Sequence, residues 1–471
     1  MFIRVKHRRP ITLLQPGNKA MCPRHHRLPG TFCRLSVALA FALLSVLVGA
    51  EVAEAQSAFI PAHHEMFQIA SRLLSNPTDE SAVVWEEIID FGELSFPWSQ
   101  VIFSAVELPK GSVIKITSLL DGKSQTLDAK QLRERDYRSA FFNGSSLSVQ
   151  LIAGPHTTGN FVQIKEIFVG DVLISQPRGR EICGDTDDRD TLRPDDQKGT
   201  GRLLLKFEDT DGLCVCTGFI INRPETGHDK CHLSAGHCFL ENCVGGSNTL
   251  EYAYLQFNVP LSDDDCSANH PASKDQFWVS KGTINANAGG VGNDWAVFRC
   301  SPTLGKTTFQ SQGCAFELAE SVPSSDYVNI VGYGSDGSDQ YGAGGGNNNC
   351  TCDPDNSTGT WNYVQQIGAG DLTDNSPIKH KVDTCPGNSG SPIYLVFPPY
   401  CGKAAGIHTH GGCVSEGVNK GTPITHQDLQ NAIAECCPEI PILTQWGLIM
   451  LVVLIVFSTW VVLRRRKAVV S

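Results

Sequence analysis

VDTCPGNSGSPIYLV, Val382 to Val396, is the stretch on which the reading of this chain turns. Within it, Gly387-Asn388-Ser389-Gly390-Ser391-Pro392 sets one serine between glycines on a tight turn that feeds a Val/Ile/Tyr-rich strand. Small neighbours let a carbonyl carbon reach the serine oxygen. A turn of this kind can also aim backbone N–H groups at the oxyanion that forms, and Gly387 and Ser389 are the expected donors.

Such a serine needs a base, and the base an orienting acid. The base candidate is His237, in CHLSAGHCFL. The acid candidate is Asp294, in GNDWAVFRC, at the entrance of the apolar run Trp295 to Phe298. The order His237, Asp294, Ser389 is not that of subtilisins or of GxSxG enzymes, and the GxSxG elbow would need a glycine where Ser391 stands. It suits a double β-barrel with the base in one half and the nucleophile in the other.

Together, SAGHC, NDWAV and GNSGSP resemble the histidine, aspartate and serine motifs of trypsin-like serine proteases of the bacterial type, over residues 201–438. The resemblance implies a chymotrypsin-like double β-barrel. In it Ser389 attacks, His237 shuttles the proton and Asp294 fixes the imidazole tautomer. It also implies disulfides from Cys216 to Cys238, closing the histidine loop, and from Cys385 to Cys413, supporting the specificity pocket. No cofactor is expected. CVC and CTC (Cys214/Cys216, Cys350/Cys352) lack zinc-finger spacing, so no metal is expected either. Asn388 departs from animal digestive proteases, whose Asp at that place pairs with a newly freed N-terminus. Activation by N-terminal insertion is therefore not expected.

Two clues to specificity conflict. Asp383 stands where trypsin-like enzymes keep a buried Asp for Lys or Arg side chains, unless it bonds locally in its turn. Thr384 and His408, the latter in AGIHTHGG, resemble the pair with which bacterial glutamyl endopeptidases hold an acidic side chain. A hydroxyl and an imidazole can both donate to a carboxylate, and a carboxylate neighbour favours a protonated His408. The motifs as wholes are closer to the glutamyl endopeptidase group. The alternative to an enzyme is a protease-like surface protein that binds without cutting, against which the full triad argues.

The chain has 471 residues, 41% hydrophobic and 18% charged, a globular composition with room for two or three domains. Its 45 glycines fit a turn-rich all-β protein, and its 18 cysteines point to an oxidising compartment. Arg24, Arg27 and Arg34 ahead of Leu35 to Val48, with Ala53-Glu54-Ala55 before Gln56, read as an export signal over residues 1–55, starting at Met1 or Met21. Leu448 to Leu463, followed by Arg464-Arg465-Arg466-Lys467, reads as a single C-terminal transmembrane helix with a cytoplasmic basic end. IPILTQWG, Ile440 to Gly447, resembles the IPTLxxWG sorting signal, with Ile442 in place of Thr. Over residues 439–471 this implies membrane attachment before handling by an exosortase-type processing peptidase in a Gram-negative-type envelope. The plainer reading is a permanent anchor. Both ends are basic, so the part between them is more acidic than the whole-chain charge of −11 suggests. That leaves no basic stripe for nucleic acid, and protein or peptide substrates are the expected partners.

Residues 56–177 read as a β-sandwich. Short alternating runs recur between turn signals at Ala82 to Phe91, Val101 to Leu108, Val113 to Leu120, Ser146 to Ala153 and Phe161 to Val169, after a short helix over Pro61 to Leu74. The role of this domain is open between a folding propeptide, a binding module and a spacer. Residues 178–200 read as a solvated acidic linker and an easy cleavage point. Its Asp185, Asp187, Asp188 and Asp190 lack EF-hand spacing. Tyr341 to Asn362 reads as a long loop.

Overall fold

The computed structural model describes residues 57–92, 94–171, 183, 189–191, 197–222, 231–263, 267–335, 362–395, 402–413 and 417–436. Its first part is built from nine strands: β1 (Ala58–Ala70), β2 (Leu74–Asn76), β3 (Ala82–Ile89), β4 (Trp98–Glu107), β5 (Val113–Ser118), β6 (Ser124–Leu127), β7 (Phe142–Asn143), β8 (Leu147–Ala153) and β9 (Thr157–Gly170). One layer has the order β3-β8-β5-β6. In the other, β9 lies between β1 and β4. Period-two alternation gives each layer one apolar face. Ile114, Ile116, Val149 and Leu151 of one pack against Val101, Phe103, Ile164 and Ile167 of the other, which makes a sandwich.

The helix expected over Pro61 to Leu74 is not formed. Glu65, Met66 and Gln68 suit a helix locally, but Ala62–Ala70 pairs along β9 instead. Burial alternates along β1, and Met66 is left 65% exposed. Long-range pairing has overridden local propensity.

The second part opens with β10 (Asp190–Thr191), β11 (Thr200–Phe207), β12 (Gly212–Asn222), β13 (Cys231–Ser234), β14 (Leu250–Gln256), β15 (Gln276–Trp278), β16 (Asn285–Ala288) and β17 (Asp294–Arg299). The antiparallel series β15-β14-β11-β12-β13-β17 closes on itself through a bridge between Val279 and Cys300. Then follow β18 (Phe316–Leu318), β19 (Asp326–Gly332), β20 (Gln366–Asn375), β21 (Ile378–His380), β22 (Pro392–Leu395), β23 (Lys403–His410) and β24 (Asn419–Pro423). Here β19-β20-β21-β24-β23-β22 returns to β19 as a second antiparallel ring. Phe219, Leu233 and Val297 of the first barrel meet Val331, Tyr394 and Ile407 of the second, with Leu429 and Ile433 of the helix Gln427–Cys436 in the same core. A disulfide joins Cys231 to Cys436.

The first strand belongs to both parts. Ala58–Pro61 of β1 pairs with Gly212–Val215 of β12. Ala58 and Ile60 share a core with Trp98 and Phe168 of the sandwich and with Leu204, Leu213 and Tyr254 of the first barrel. The expectation of a solvated linker is also corrected where the segment is described. Cys183 is disulfide-bonded to Cys413, β10 pairs with β20, and the buried Arg189 donates to Gln366 Oε1 at 2.5 Å and to the Ser335 carbonyl at 3.3 Å. A guanidinium with two acceptors in the barrel wall holds this stretch down. Asp185, Asp187 and Asp188, the export signal, nearly all of the expected loop and residues 439–471 lie outside the described residues. Among the described residues no helix is long and apolar enough to cross a membrane.

Candidate active site

His237 opens a single helical turn after β13, and Asp294 opens β17. These strands pair, with Ser234 opposite Ala296, so the turn and the strand start lie side by side. Gly236 is required there, since a Cβ would fall 2.0 Å from the Asn287 carbonyl oxygen. Asp294 is 1% exposed and His237 3% exposed. Asp294 Oδ1 accepts the N–H groups of Gly236 at 2.6 Å and His237 at 2.9 Å. Asp294 Oδ2 accepts His237 Nδ1–H at 2.5 Å. Burial alone would raise the Asp294 carboxyl. The adjacent His237, by charge and by hydrogen bonds from its ring and backbone, outweighs that and holds the carboxyl below its ordinary value. The Thr422 hydroxyl reaches over from β24, accepting Asp294 N–H at 3.0 Å and donating to its carbonyl at 2.7 Å.

Ser389 lies buried on the turn before β22. Gly387 (φ +103°) and Gly390 (φ +90°) hold the left-handed conformation that favours glycine. A Cβ on Gly387 would meet the Tyr333 carbonyl oxygen at 2.6 Å, and one on Gly390 the Thr217 carbonyl oxygen at 2.0 Å. Thr217 of β12 ties this turn to the first barrel. Its N–H donates to the Ser389 carbonyl at 2.8 Å and its hydroxyl to the Gly387 carbonyl at 2.9 Å. Ser389 Oγ donates to the Thr409 carbonyl at 3.2 Å. The Cys216–Cys238 disulfide fastens β12 to the histidine turn, and Cys238 Sγ lies 3.9 Å from the Ser389 carbonyl oxygen. The structure thus gathers His237, Asp294 and the Ser389 turn at the junction of the two barrels.

The family model for trypsin matches residues 195–433, just over half of the chain. The chain belongs to the trypsin family. It is a serine peptidase. Among solved structures, a thermostable serine protease AL20 from an extremophilic microorganism is 16% identical, with a TM-score of 0.37, over 52% of this chain and 99% of the other. The protease Anisep from Arthrobacter nicotinovorans is 12% identical, with a TM-score of 0.35, over 50% of this chain and 93% of the other. No curated protein matches the chain.

Within this trypsin-family framework, the residues singled out for specificity divide. Asp383 is buried, and its Oδ1 accepts the Cys183 N–H at 2.6 Å, a bond to a distant segment. Thr384 Oγ1 accepts from Asn419 Nδ2 at 3.0 Å. His408 is fully buried, and its Nδ1 lies 3.1 Å from His380 Nε2. Burial, reinforced by His380, His410 and His237 nearby, pushes the His408 imidazole well below its ordinary pKa. In the free protein, with no substrate carboxylate beside it, His408 is thus held neutral. The expected bridge from Cys385 to Cys413 is also corrected. The Cys183 segment folds into the second barrel, and Cys413 bonds to it instead.

Cys216, His237 and Cys238 place three metal-type donor atoms within 4.8 Å of one another. Both sulfurs are committed to a disulfide and offer no thiolate, so the group does not suit a metal. Cys214 is likewise bonded to Cys243. Sequence reasoning missed four polar residues here: Thr217, Thr422, His380 and His410. His410 Nδ1 is 2.8 Å from Thr409 Oγ1 and 3.9 Å from Asp294 Oδ2. Its place two residues after His408 on β23 was the one available signal.

Proposed function

We propose that this protein is an exported serine endopeptidase that cuts peptide bonds through an acyl-enzyme on Ser389 and prefers an acidic residue before the scissile bond. The observation that carries the reading is the buried His237–Asp294 pair beside the glycine-locked Ser389 turn. Asp294, ionised and held by two further N–H groups, keeps the proton on His237 Nδ1 and leaves Nε2 to act as base. Nε2 takes the Ser389 proton as Oγ attacks the carbonyl, and the N–H groups of Gly387 and Ser389 receive the oxyanion. The same nitrogen returns the proton to the leaving amine, and water then releases the acyl group. The test is labelling with a fluorophosphonate probe. Ser389 is expected to react, and Ser389→Ala or His237→Ala to abolish labelling, with loss of turnover on the order of a millionfold. A folded wild-type protein that stays unlabelled would favour the binding protein instead.

Two contacts support the acidic preference. The Asp383 carboxylate is engaged by the Cys183 N–H, which argues against its serving a Lys or Arg side chain. The Val382 N–H donates to His380 Nδ1 at 3.3 Å, so the proton of a neutral His380 sits on Nε2 and points to His408 Nδ1. A neutral His408 then carries its own proton on Nε2, the nitrogen that would donate to a substrate carboxylate. The same reading covers the ends of the chain. The signal over residues 1–55 exports it, and an exosortase-type peptidase removes the tail near IPILTQWG after transient membrane anchoring. A mature protein that retains Arg464 to Lys467 by mass spectrometry would instead carry a permanent anchor.

A further inference from the structure

The start of β1 comes up against the catalytic centre. Ser57 Oγ lies 3.4 Å from Cys216 Sγ. Cys216 is bonded to Cys238, whose Sγ is 3.8 Å from His237 Nε2. Along β12, Ala58 pairs with Val215, and Thr217, two residues further on, donates to the Ser389 carbonyl. Two strand residues span roughly 7 Å. The beginning of β1 therefore stands one disulfide away from the nitrogen that, as the base, hands its proton to the leaving amine.

We propose that Ser57–Phe59 forms the wall of the cleft on the leaving-group side and confines recognition there to the first residue after the scissile bond. This rests on the reading of Ser389 as nucleophile and His237 as base. An extended peptide is commonly bound by adding a strand to a sheet edge. At Gly212–Val215 of β12 that place is filled by Ala58–Pro61 of the chain itself. The filling is tight, since a Cβ on Gly212 would fall 2.3 Å from Phe59 Cζ. It is also anchored, because Ala58 and Ile60 are buried in the core shared with Leu213 and Val215. A short peptide lacks the apolar area to displace it. The sandwich thereby has a part in substrate choice, since its first strand occupies the edge on which residues beyond the first would pair.

The test uses the full chain and reads how its acyl-enzyme, formed from an activated ester, partitions between water and added amine nucleophiles of one, two and three residues. Partitioning is expected to improve on adding a one-residue amide and then to stay level. A rise of about tenfold or more at the second or third residue, worth roughly 1.4 kcal/mol of added binding, overturns the wall. Ser57→Trp thickens it, and is expected to lower partitioning to a bulky one-residue amide by about tenfold relative to hydrolysis. An unchanged ratio puts Ser57 outside the path of the leaving group and also overturns the proposal. A chain that forms no acyl-enzyme fails at the first step, which removes the protease reading and the wall with it.

Discussion

At the scale of single residues, the proposed acidic preference rests on imidazoles kept neutral by burial. Burial pushes His380 down to about 3 and His408 well below its ordinary value. A neutral ring can present only one N–H, so the partner on the other nitrogen decides which. For His408 that partner is His380. In a proteome-derived peptide library, cuts are expected after Glu and Asp, and His408→Ala should remove the preference. His380→Asn, whose amide can still donate to His408 Nδ1, should keep more of it than His380→Leu, with a difference of roughly tenfold in the Glu-over-Ala ratio of kcat/KM. Cuts after Lys or Arg that vanish in Asp383→Ala would show the opposite specificity. The residues legible in the sequence are those whose constraints are local. Gly236, Gly387 and Gly390 mark backbone approaches with no room for a Cβ, so SAGHC and GNSGSP carry their geometry in their own letters. His380 and Thr422 act across strand pairs that nothing near them in the chain announces.

At the scale of elements, β1 and the segment after the sandwich account for most of what the sequence concealed. Alternation made the sandwich layers readable, as in β5, where Ile114 and Ile116 face inward. Residues 61–74 favoured a helix because the competing partner, β9, lies some hundred residues downstream. Acidic composition made residues 178–200 look solvated, although Arg189 and Cys183 bind them to the second barrel. The sandwich should therefore hold on after a cut. Chain nicked between residues 184 and 188 is expected to elute as one species on gel filtration even when reduced, since Ile60, Trp98 and Phe168 each bury about 2 kcal/mol of apolar side chain in the shared core. Intact chain is expected to be active already, because Asn388 cannot make the ion pair that N-terminal insertion needs. Fragments that separate, or activity that appears only after the cut, would contradict this.

At the scale of the whole molecule, acid should loosen the fold before it touches Asp294. His270 and His408 are held well below the usual imidazole value by burial, His410 at about 4 and His380 at about 3. In the unfolded chain each takes up a proton below about pH 6.5. The folded form refuses those protons, so this stability is complete above pH 6.5 and is lost as pH falls toward 4. Each histidine contributes a slope of up to about 1.4 kcal/mol per pH unit, and the four together roughly 5. The urea midpoint is expected to drop clearly between pH 7 and pH 5, and a constant midpoint would contradict the assignment. The Cys231–Cys436 bond bears on a different kind of stress. It closes a covalent loop between positions 205 apart in the chain, and that loop contains both Asp294 and Ser389. Tension arriving along the chain beyond Cys436 passes through that sulfur link straight into β13 and bypasses the second barrel. Tethered by its C-terminal end, the protein can be tugged without prising apart the seam on which the nucleophile sits.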